Sequence, residues 1–225
     1  MLHEMELDIK TVKPLLRGWS HAIAALVAVA GLVALIVITR HDPAKLVSMI
    51  VYGAGLVLLF GVSATYHTIN WPPRVKDWLR RADHATIFIF IAATYTPLAF
   101  NVLDGWWRIS VLALIWTSAA AGVAGAAPFL RIPRQVLTSL YLAMGWVAVI
   151  ALVPLTAALG WAAAALMALG GLQYSIGAAA YAFKWPRLWP RVFGYHEFFH
   201  LAVITASVTF YVIVVSYAVP FHRAN

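Results

Sequence analysis

Seven times in succession the chain runs for about 20 residues with few charges, the length an α-helix needs to cross a hydrocarbon layer roughly 30 Å thick. The runs lie near 19–38, 46–67, 83–101, 109–127, 135–153, 159–182 and 195–218. No water satisfies a backbone amide inside lipid, so each spanning segment must bond internally, and the pattern predicts an all-α polytopic bundle of seven transmembrane helices. Of the 225 residues 63% are hydrophobic, well above the roughly 45–50% of a soluble domain. The connecting loops are short, the longest being 68–82 and 183–194, so 1–225 is expected to be one membrane domain.

Charge orients the bundle. A formal net charge of +8 would suggest nucleic acid in a soluble chain, but here the basic residues sit in the loops and read as topology. Lys10, Lys13 and Arg17 precede the first run, Arg74, Lys76, Arg80 and Arg81 follow the second, Arg131 and Arg134 follow the fourth, and Lys184, Arg187 and Arg191 follow the sixth. These twelve face four on the other side, Arg40, Lys45, Arg108 and Arg223. The positive-inside rule therefore predicts a cytoplasmic amino terminus and, after seven crossings, a carboxyl terminus outside. Trp19, Trp71, Trp106, Trp161 and Trp185 fall near the ends of runs, where an amphipathic indole favours the interface. The first 18 residues mix Glu4, Glu6 and Asp8 with basic residues and lack the apolar core of a cleavable signal, so the first helix is expected to serve as a retained insertion signal.

Ionisable groups inside a bilayer are costly, and those that remain are functional candidates. They are His67 at the end of the second run, Asp83 and His84 at the start of the third, and His196, Glu197 and His200 at the start of the seventh, with His21 a weaker member. The topology places all of them at one depth. His196 and His200, four residues apart, share a helical face, and Ser63 stands one turn from His67 in the same way. Three imidazoles from two helices can thus converge. With no cysteine in the chain a metal must be held by His and carboxylate, and three His ligands with an open position suit catalytic Zn2+. Zinc in such a site supplies an activated water for hydrolysis. Asp83 is placed to orient that water or take its proton, and Ser63 to hold His67 or polarise a substrate oxygen.

Plainer readings stand beside these. His21 and His84 fit interfacial polar residues, Asp83 fits a helix cap, and the three histidines fit an internal hydrogen-bond cluster. Tyr66, Tyr95 and Thr96 fit helix-packing polar groups.

The segments SATYH (63–67), DHATIFIFIAATYTP (83–97), GGLQYSIGAAAYAFKWP (170–186) and GYHEFFH (194–200), in that order on seven runs, resemble bacterial members of the hemolysin III group. That group lies within the progestin and adipoQ receptor (PAQR) superfamily, which includes the adiponectin receptors. The resemblance implies a zinc site of His67, His196 and His200, with Asp83 and Ser63 nearby, on the cytoplasmic side of a seven-helix bundle in the bacterial cytoplasmic membrane. Similar sites in the wider superfamily, which contains alkaline ceramidases, are linked to hydrolysis of lipid amides. Membrane lipids are then the expected partners and a lipid the expected substrate.

Three rivals remain open at this point. HEFFH matches the His-Glu-x-x-His signature of zinc proteases, with Glu197 as base; the carboxylate such an enzyme also needs is not Asp104, which falls on the outer side, although Asp83 can substitute. A channel or cytolysin with structural zinc is the second, and a sensor of membrane state is the third.

Overall fold

The computed structural model describes residues 16–126, 132–189 and 192–222. Lys10, Lys13, Arg131, Arg191 and Arg223, five of the residues used to orient the chain, lie outside them, as do Glu4, Glu6 and Asp8. The described residues form α1 (Trp19–Thr39), α2 (Pro43–Thr68), α3 (Pro73–Val102), α4 (Gly105–Gly125), α5 (Arg134–Gly145), α6 (Leu152–Phe183) and α7 (Tyr195–Ile213). A 3-10 turn, Trp146–Val149, follows α5, and a π segment, Val214–Ala218, continues α7. Among the described residues six helices are long and apolar enough to cross a membrane, whereas the stretch Gln135–Val149 is shorter. The protein is a multi-pass all-α membrane protein.

Two boundaries differ from the sequence reading. α3 begins at Pro73, ten residues before the apolar run, because Pro73 after Pro72 occupies the first helical turn, where a missing N–H costs nothing. Hydropathy does not register that charged extension. The 135–153 run is also not one regular helix: it passes through the 3-10 turn into α6, and the helical path is kinked later, at Gly160, whose φ of 83° and ψ of 170° are open to glycine.

α2 starts sharply because the Asp42 side chain accepts from the Lys45 amide at 2.9 Å, with Pro43 directly after it. α1 to α4 pack each on the next, α6 packs on α7, and α7 returns to α1 to close the ring. α3 is the most buried span and also touches α5, α6 and the π segment, so it runs up the interior. One core, including Leu35, Met49, Tyr52 and Ile213, lies among α1, α2, α3 and α7; a second, around Phe88 and Ile115, joins α3, α4 and α5. At the end of the bundle away from His67, the buried Lys45 Nζ donates to the carbonyls of Val219 at 2.6 Å and Phe221 at 2.9 Å.

Candidate metal centre

α2 ends one residue after His67 because Ile69 is extended and Pro72 and Pro73 close off the helix. α7 opens one residue before His196, after an extended Gly194 whose N–H donates to Glu197 Oε2 at 2.8 Å. These two termini meet. His196 Nε2 lies 3.2 Å from His67 Nε2, and one nitrogen each from His67, His196 and His200 fall within 4.8 Å of one another.

This donor set fits a zinc-type ion. Tetrahedral ligands at 2.0–2.1 Å from zinc stand roughly 3.3 Å apart, close to the His67–His196 separation, and the ligands are all neutral-capable imidazoles. His200 is buried, and its Nδ1 has no hydrogen-bond partner among the described residues. A buried imidazole nitrogen without a partner is costly, and an arrangement that leaves one is more at home holding an ion than as a closed hydrogen-bond cluster.

Asp83 and Ser63 join the triad. Asp83 Oδ2 lies 3.9 Å from His67 Nε2, and the buried Ser63 is placed to donate to the Asp83 carboxylate. The helix-cap reading of Asp83 fails because the early start of α3 puts it in the third turn, where no amide is free.

Other expectations change as well. Glu197 is not a free base: Oε1 takes the Arg17 guanidinium at 2.8 Å and Oε2 takes the Gly194 amide. His21 is not interfacial. It is 3% exposed and stacked on His200, with ring centroids 3.7 Å apart and planes 9° from parallel. His84 lines the interior, and its carbonyl accepts from the Tyr141 hydroxyl at 3.0 Å. Asp104 stays away from the triad, at the start of α4, paired with Arg108 at 2.7 Å. Tyr95 does pack helices: its hydroxyl donates to the Gly145 carbonyl at 2.5 Å and accepts from the Ala148 amide at 2.6 Å, pinning the 3-10 turn.

Sequence reasoning missed Gly18 and Arg17. Gly18, at φ 90°, packs against His67 so closely that a Cβ would meet the His67 Cβ at 2.7 Å, and Arg17 holds the first turn of α7 through Glu197. Only the glycine carried a signal, as a helix-breaking residue directly before α1.

The centre opens into a cavity of about 210 Å³. Ser63, Asp83 and His200 form one end, and Leu103 and Val111, at the far ends of α3 and α4, form the other. Between them the walls are aliphatic and aromatic, with Phe90, Leu98 and Met167 among them. The arrangement can bring an apolar chain up to a polar, metal-competent end.

A family model described as Haemolysin-III related matches residues 9–211. The chain is 31% identical over 202 residues to the Hemolysin-3 homolog of Bacillus subtilis (strain 168), covering 89% of this chain and 92% of that protein. It is 32% identical over 203 residues to Hemolysin-3 of Bacillus cereus, covering 89% and 90%. The human Monocyte to macrophage differentiation factor is 28% identical over 201 residues, covering 86% and 79%. A helical membrane bundle with a buried histidine triad, matched along nearly its whole length by that family model, belongs to the Haemolysin-III related family.

Proposed function

We propose that this protein is a zinc-dependent hydrolase of membrane lipid amides or esters, acting as a single seven-span domain in the bacterial cytoplasmic membrane. The observation that carries this reading is a histidine triad at the end of a long apolar cavity. The amino terminus is cytoplasmic and the carboxyl terminus outside, following the loop charges. The fifth crossing runs from Arg134 through the 3-10 turn to Gly160, and the rest of α6 makes the sixth.

His67, His196 and His200 would hold the ion. Zinc, when bound, supplies Lewis acidity and an acidified water. Ser63 is placed to donate to Asp83 and so to hold its carboxylate beside His67. Asp83 takes the proton of the attacking water as the carbonyl carbon–oxygen bond forms, then passes it to the leaving nitrogen or oxygen as the scissile bond breaks. The apolar walls hold the acyl chain and exclude bulk water. The protease alternative loses support because both oxygens of Glu197 are engaged.

Metal analysis of the purified wild type beside His67→Ala and His200→Ala tests the first half: zinc is expected in the wild type and lost in both variants, and equal metal in all three ends the reading. Turnover of ceramides and phospholipids tests the second. Asp83→Ala should keep its metal while turnover drops about 10²–10⁴-fold. A second reading, cytolysis, is favoured by the names of the Bacillus relatives. Lysis of erythrocytes by wild type and His200→Ala alike, with no lipid turnover, would select it.

A further inference from the structure

Arg74, Lys76, Arg80 and Arg81 supply the charge that orients the chain, yet orientation requires only their number, not their placement. Two of them have a specific place. Between the first turns of α3 and the end of α4 lies an open groove of about 360 Å³ lined by Arg74, Trp78, Arg81 and Ala85 on one side and Val123 and Ala126 on the other. The α3 members recur every three or four residues and so form one helical face.

The groove is unfinished in a particular way. Arg81 Nη1 is buried and has no hydrogen-bond acceptor among the described residues. A buried guanidinium N–H without an acceptor is costly, and an anion removes that cost with charge-assisted bonds. The lining holds one carboxylate, Asp77, which is exposed and stands 3.7 Å from Arg80 Nη2. Two guanidinium groups against one carboxylate leave the groove positive.

Below the arginines, Ala82, Ala85 and Ala126 leave a shallow apolar slot, and the 69% exposed Trp78 stands beside it as an interfacial anchor. Arg81 is two residues from Asp83, at the level of the metal centre, but about 200° around the helix from it and therefore directed away from the cavity. A free phosphate would use the arginines alone. A lipid would use the slot and the indole as well. We infer that this groove binds an anionic glycerophospholipid, with its phosphodiester on Arg74 and Arg81 and the first part of its acyl chains between α3 and α4. The assignment is independent of the hydrolase reading.

The test is native mass spectrometry of the full chain released from micelles containing equal phosphatidylglycerol and phosphatidylcholine. The wild type is expected to retain phosphatidylglycerol over phosphatidylcholine, and Arg74→Gln and Arg81→Gln are each expected to lower that retention about fivefold. Arg187→Gln, an exposed change in the loop between α6 and α7 at the same end, is expected to match the wild type. Arg74 is exposed, so its variant reports on binding even if Arg81→Gln misfolds. Equal losses in Arg187→Gln would reduce the effect to general loop charge and overturn the assignment. So would equal retention of both lipids, no change in either arginine variant, or complete displacement by free glycerol phosphate.

Discussion

At Gly18 the backbone turns with φ 90° while the residue lies against His67, leaving no room for a side chain. Gly18→Ala adds both left-handed strain, about 1–3 kcal/mol, and a contact that pushes His67 aside. Lower metal retention after dialysis and a lower Tm are the expected outcome, and unchanged metal content would show that His67 does not depend on this contact. Glu197 makes a sharper comparison. Arg17→Ala strands a carboxylate that is 4% exposed, whereas Glu197→Gln still accepts from Gly194 and removes the counter-ion only of Arg17, whose side chain is 26% exposed. Arg17→Ala is therefore expected to lower Tm more than Glu197→Gln, by a margin that calorimetry in detergent can read. The triad itself was legible from spacing, since residues four apart share a face and the alternation of spans set their depth. The pair Arg17–Glu197 was not, because its partners are 180 residues apart and no local pattern links them.

Among the elements, α3 shows most clearly what hydropathy can and cannot read. Its apolar two thirds announce a span, but its charged first turns lie where water or lipid headgroups satisfy them, so their helicity leaves no hydropathic trace; the Pro72–Pro73 pair is the only mark of their start. The same limit hid the kink at Gly160 and the 3-10 break, which are backbone events within uniformly apolar sequence. Small residues told more. Gly122 on α4 packs over Phe88, which is 2% exposed, and a Cβ there would fall 2.3 Å from the ring. Gly122→Ala should overpack this contact and cost about 1–3 kcal/mol, seen as a lower Tm with metal content unchanged. A wild-type Tm would mean that α4 can shift away from α3 freely.

For the whole molecule, the ring closed by α7 on α1, with α3 inside it, brings both ends of the chain's helical path to one wall. The absence of cysteine makes its orientation directly measurable. His41→Cys, in the loop after α1, is expected to react with an impermeant maleimide on intact cells, and Asn70→Cys, after α2, only once the membrane is opened; the reverse pattern would invert the bundle. That the chain is a multi-pass helical membrane protein followed from composition alone, and the meeting of the α2 and α7 histidines from their spacing. The cavity did not, because a void depends on how side chains from α3, α5, α6 and α7 miss one another, which no single segment encodes.

The Lys45 ammonium group has a mechanical consequence. It ties the far end of α2 to the end of α7, while His67 and His196 stand together at the opposite ends of the same two helices. Fastened at both ends, the pair acts as a strut of fixed span, so a thicker or thinner bilayer is met by tilting the two together rather than by sliding one past the other. The spacing of the imidazoles is thereby insulated from the lipid around them.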